Sequence, residues 1–352
     1  MIDRELLEKK LERYKRLFSS ETGTLLITRT TTWGTEQSGY IPLEDYDLPR
    51  QWKEYMHSTI KRHESVWKNR TIDDDLLPSI NPFYGIAEHS SFFGGSVSYG
   101  GDTSYHHPIL KSLDEISTLQ IEENNPHYKM LLDSMAYLQE CKHETNLIPS
   151  LRGAESPLDI ANAIRGNNLF LDMYDREDDV HNLLDKCSDA LLWNLENQIS
   201  RVDAIDGGII TGFGIWMPGR SVGHISEDTS SMCSSDMYER YGLPYTQKVL
   251  NHYEGVLVHI HGLGAHILPQ LCSMKNLLVV QIEADPNQPT PLEIFKSNEK
   301  ILRDKIIMMR LEAKEYYDNR DFLQDKRTIL QIAPSCMDEA QELVSCVRAM
   351  HK

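Results

Sequence analysis

The chain has 352 residues, 40% hydrophobic and 25% charged, which permits a packed core and excludes wholesale disorder. Its 53 acidic residues outnumber 36 lysines and arginines, and the resulting charge of -17 repels a phosphate backbone, excluding a nucleic-acid partner. No run of about 18 apolar residues is present to cross a membrane, and charges of both signs interrupt the first residues, unlike a secretory leader; the six cysteines are scattered without a CxxC pair, so free thiols in a cytoplasmic protein are expected.

In chain order, an N-terminal helix over residues 3–18 precedes a first strand, GTLLITRT (23–30). LPSINPFYG (77–85), NLIPSL (146–151), GGIITGFGIW (207–216), GVLVHIHG (255–262), NLLVVQIEAD (276–285) and TILQIA (328–333) read as later strands. Helices lie between them. Three carry start signals: Ser156-Pro157, Thr290-Pro291 with Glu293, and Ser335 ahead of MDEAQELVSCVRAM, where a Ser335 cap would put Cys336 in the first turn. With no repeat and no linker, the alternation predicts one α/β domain over 1–352, a (β/α)8 TIM barrel with an N-terminal helical extension; a doubly wound open sheet is the alternative.

Two late strands place the chemistry. Alternate strand residues face opposite sides, so Val256, Val258 and Ile260 share one face, and Leu257, His259 and His261 the other. In the next strand Val279, Gln281, Glu283 and Asp285 share a face that grows polar toward its C-terminal end. Catalytic groups of barrels sit at that end of the strands. His259 and His261 are thus expected to converge on one ion or substrate, opening with Glu283 into one cavity. A zinc site needs a third protein ligand, for which Cys336, favoured as a thiolate at a helix start, and Glu283 are the candidates. The plainer alternative is two histidines hydrogen-bonded in a polar barrel mouth. Asp228, in SEDTSS, is expected to orient or protonate substrate, with loop capping as its ordinary role. Arg29 at the first strand's end suits a substrate carboxylate, and Asn81, Tyr84 and Trp216 close strands where a pocket wall would lie.

SLRGAESPLDIANAIRG (150–166), LFLDMYD (169–175), VHNLL (180–184), the acidic loop SED (226–228), MCSSDMYERYGLPY (232–245) and LVHIHG (257–262) resemble the uroporphyrinogen decarboxylase superfamily from about Phe92 onward. The resemblance implies a (β/α)8 barrel and two chemistries: tetrapyrrole decarboxylation, and zinc-dependent methyl transfer among small substrates, corrinoid proteins and thiols. The decarboxylases' arginine-rich N-terminal segment has here only Arg29, in LLITRTTTWGTEQSGY. The methyltransferases' His-x-Cys stands as His259-x-His261, and their later cysteine matches Cys336. The expectation is a methyltransferase-like enzyme with His259, His261, Asp228 and Glu283 catalytic, zinc on His259, His261 and Cys336, and a corrinoid on a partner protein; a homodimer is a further expectation. A metal-free lyase or decarboxylase on a small carboxylated substrate, and a non-catalytic ligand-binding barrel, are the alternatives.

Overall fold

The computed structural model describes residues 4–29, 41–68 and 70–350. Thr30, at the end of the first expected strand, and the arginine-poor stretch after it to residue 40 lie outside the described residues.

The strands in chain order are β1 (Gly23–Thr28), β2 (Ser79–Ile80), β3 (Val97–Gly100), β4 (Thr103–His106), β5 (Ile148–Pro149), β6 (Ala154–Glu155), β7 (Gly208–Ile210), β8 (Trp216–Pro218), β9 (Ser221–Ser226), β10 (Gly255–His261), β11 (Leu277–Glu283), β12 (Ile306–Leu311) and β13 (Arg327–Ile332). A seven-stranded sheet runs β1-β13-β12-β11-β10-β9-β6, every pair parallel, and β2 pairs with β5 in parallel. Residues 148–155 carry β5 and β6 through one bent stretch, joining the two sheets. The remaining gap, between β1 and β2, is closed by Asp75 N–H donating to Leu26 O at 2.7 Å and by carboxylates in place of backbone. Asp75 Oδ2 accepts from Leu26 N–H and Asp74 Oδ2 from Thr28 N–H, both at 2.7 Å. The ring is thereby complete, an eight-position α/β barrel.

Strand parity sorts the core as the sequence predicts. Val256, Val258, Ile260, Ile307, Met309 and Leu330 pack outward under the helices, whereas Leu257, Val279, Met308 and Ile329 fill the interior with Leu25 and Ile27. The helix Arg4–Ser19 closes the bottom with Leu11, Tyr14 and Leu17. The capping signals at Ser156 and Thr290 form as expected, the second as a complete capping box with Glu293.

Three readings change. GGIITGFGIW is not one strand: Gly214, at φ 73°, turns the chain at 211–214, and β7 and β8 pair antiparallel. The barrel strand of this region is the following SVGHIS, β9, and IIMMRL, β12, is a further barrel strand that the sequence reading passed over. The last helix spans Met337–Met350, and Ser335 does not cap it: its N–H and hydroxyl both donate to Glu339. Cys336 therefore sits exposed in the turn before the helix.

Among the described residues no helix is long and apolar enough to cross a membrane.

Candidate active site and metal centre

Parallel register brings the inward-facing residues of the C-terminal strand ends level. His259 lies beside Ser226 on one side and Gln281 on the other, and His261 beside Glu283. Glu155 pairs with Ser226, so its carboxyl enters the same mouth. Asp228, two residues past the end of β9, completes the group. Its Oδ1 accepts from Ser226 Oγ at 3.0 Å, and the same oxygen lies 3.6 Å from His259 Nε2 and 3.9 Å from His261 Nε2. One ligand atom from each of Asp228, His259 and His261 falls within 4.8 Å of the others.

The other ring nitrogens are occupied. His259 Nδ1 meets Gln281 Oε1, and His261 Nδ1 donates to Asp285 Oδ1 at 2.8 Å. Asp285 also accepts Leu263 N–H at 2.8 Å, which ties the loop after β10 to this histidine. Both imidazoles consequently turn Nε2 toward Asp228. Burial pulls the His259 pKa below its ordinary value, against the pull of the Asp228 carboxylate, so the ring is held neutral, the form a metal requires. Ligand atoms around a tetrahedral zinc lie roughly 3.3–3.5 Å apart, given metal–ligand distances of about 2.0–2.1 Å. The two Asp228–imidazole spacings need only a small contraction, and two imidazoles with one carboxylate are a recognised catalytic zinc donor set. The residues fit the ion.

Beneath His259 lies His224, partly buried, its ring stacked on Phe213 at 4.2 Å and 5.7 Å from the His259 ring. Its pKa is driven well below the ordinary range, first by burial and then by His259. Gly153 makes the room: a Cβ there would fall 2.1 Å from the His224 ring. The acidic side of the mouth is crowded. Asp159, buried, accepts from Thr229 N–H and Oγ1, each at 2.7 Å, and burial together with Asp228 and Glu227 pushes its pKa up to about 8. Burial, reinforced by Asp159 and Asp228, raises that of Glu155 well above the usual carboxylate range.

Of the expected site residues, the structure brings together His259, His261 and Asp228, with Glu283 at the same mouth. Glu283 does not join the three converging side chains; it accepts from Gln281 Nε2 at 3.1 Å and pairs with Arg310 at 3.2 Å. Cys336 is not in that group either. Asn81 faces the interior, its amide reaching Ser150 Oγ and Gly212 O at 3.3 Å. Arg29 follows β1 and is exposed, its N–H donating to Ile332 O. One expectation is corrected. Trp216 lies at the opposite end, because the hairpin turn returns the chain to the barrel floor; its Nε1 donates to Ile205 O and its ring meets Phe18 edge on. Tyr84 is buried, its hydroxyl on Ser134 Oγ at 2.7 Å and its ring on Tyr55, and it lines a small cavity with Glu88, Tyr99, His127 and Arg152. Gln281, Asp285, His224, Glu155 and Arg310 were not singled out from sequence. The first two share the polar strand face read for Glu283; His224 sits in the unread strand β9.

Residues 79–206 match the family model of uroporphyrinogen decarboxylase. Among solved structures, a methyltransferase from Methanosarcina mazei superposes with a TM-score of 0.63 over 98% of this chain and 99% of its own, at 13% identity, so the barrel fold is shared. No curated protein matches the chain in sequence.

Proposed function

We propose that this chain, a member of the uroporphyrinogen decarboxylase superfamily, transfers a methyl group between a small substrate and a thiol or corrinoid acceptor at a zinc ion held by His259, His261 and Asp228. The observation that carries this reading is the convergence of two Nε2 atoms and one carboxylate oxygen at the C-terminal mouth of the barrel, where barrel enzymes do their chemistry. When bound, the ion supplies a Lewis acid that stabilises a thiolate at neutral pH. The protein's own part is to fix both imidazoles through Gln281 and Asp285, to hold Asp228 through Ser226, and to wall the inner side against water with Phe213 and His224.

A partner protein carrying a corrinoid would dock on the rim, where Met232 and Leu263, in the loops after Asp228 and His261, are 62% and 52% exposed.

Metal analysis of protein purified without a metal-affinity tag, joined to a methyl-transfer assay from a methylated corrinoid to a panel of small thiols, tests the reading. Stoichiometric zinc and transfer are expected; a metal-free protein that decarboxylates a small acid would replace this reading with its rival.

A further inference from the structure

We infer that Glu283 is a positioning residue which, through Gln281, sets the tautomer of His259, and that Arg310 anchors it for that task. This inference rests on the metal-site reading for its purpose but not for its chemistry. Gln281 lies between two partners, with Nε2 on Glu283 Oε2 at 3.1 Å and Oε1 on His259 Nδ1. An amide can be turned end for end without changing its shape, so the neighbours must decide its direction. A carboxylate accepts and never donates; Arg310 Nη1, 3.2 Å from Glu283 Oε1, keeps Glu283 in that role. The NH2 end of Gln281 must then face Glu283, and its carbonyl must face His259. A carbonyl only accepts, so the proton of His259 must sit on Nδ1. The lone pair is left on Nε2, the atom 3.6 Å from Asp228. Arg310, Glu283, Gln281 and His259 come from three adjacent strands, β12, β11 and β10, and form one directed chain. His261 needs no such chain, since Asp285 accepts from its Nδ1 directly.

The test uses the full-length protein stripped of metal and long-range 15N–1H NMR of its histidine rings, with zinc titration as a second readout. In the parent protein His259 is expected as the Nδ1–H tautomer. Glu283→Gln removes the acceptor-only neighbour, so Gln281 can turn. The His259 signal should move toward the Nε2–H form and zinc affinity should fall about 10- to 100-fold. Adding Gln281→Glu to Glu283→Gln returns a fixed acceptor beside Nδ1 and should restore both readouts. Gln281→Leu, which keeps the strand apolar and packed, should reproduce the Glu283→Gln tautomer change should that variant fold poorly. An unchanged tautomer in both Glu283→Gln and Gln281→Leu overturns the inference. Lost zinc affinity with an unchanged tautomer and no rescue overturns it too, and makes Glu283 a direct ligand. A parent protein that shows the tautomer dependence yet binds no zinc upholds the positioning role and removes the metal reading instead.

Discussion

His259 and His261 meet edge to face with ring centroids 4.9 Å apart, each presenting Nε2 to a single oxygen of Asp228. One strand period separates them, so the β10 backbone alone fixes their spacing. If both hold zinc as proposed, replacing either by alanine removes a direct ligand and should lower zinc affinity by about 100-fold or more, beyond the upper range for outer partners. Competition titration against a chelator measures this; a loss under about 10-fold in both variants would show that the pair does not ligate.

Asp75 makes a stability prediction at the barrel's closure. It is fully buried and accepts from Leu26 N–H while pairing with Arg13 and with Arg348, at 2.9 Å, so the first strand and both terminal helices meet on one carboxylate. Asp75→Ala leaves the buried Leu26 N–H without its acceptor and takes from Arg13 and Arg348 their shared carboxylate, leaving them Asp73 and backbone carbonyls, and should cost about 2–4 kcal/mol. Urea denaturation reads the change directly, and a cost below about 1 kcal/mol would mean that water replaces the carboxylate.

His89 sets an acid limb of stability. Its ring is enclosed, with Nδ1 unpartnered among the described residues, and burial, aided by His106 and Arg152, lowers its pKa to about 3. Below the ordinary value of 6.5 the unfolded chain takes up a proton that the folded ring refuses. The stability His89 allows is therefore fully present above about pH 6.5 and is lost as pH falls toward 3. Between about pH 7 and pH 4 the wild type should lose about 3 kcal/mol more than His89→Asn. Parallel denaturation curves at both pH values for the two proteins would contradict this.

The sequence carried the fold through periodicity and the site only in part. The late strands were legible because apolar and polar faces alternate cleanly from Val256 to His261, and the same alternation put Gln281 and Asp285 beside Glu283. β9 was hidden because GGIITGFGIW, read as one strand, is a hairpin, and SVGHIS follows it after only Met217, Pro218, Gly219 and Arg220. Reading the hairpin as the barrel strand moved Trp216 to the wrong end and concealed His224. Asp228 was found as a loop carboxylate, yet its meeting with two histidines depends on β9 lying beside β10, which no local pattern encodes. Tyr84 does line a small cavity, but its hydroxyl is taken up by Ser134, a partner distant in sequence.

Cys336 gives the sharpest test of the ligand set. The resemblance to methyltransferases makes it a thiolate ligand, while the structure leaves it exposed between β13 and the last helix and gathers Asp228 in its place with the two histidines. The two assignments predict opposite outcomes. If Asp228 ligates, Asp228→Asn replaces a charged oxygen by a weaker neutral donor and should lower zinc content sharply, and Cys336→Ser should leave it near the wild-type value. Neither change should disturb folding, since Asp228 is 44% exposed and Cys336 packs in no core. Zinc content at matched purity, with thermal melting as a control, decides between them. Full occupancy in Asp228→Asn together with loss in Cys336→Ser would return the thiolate to the site and require the turn at 333–336 to fold inward when the ion binds.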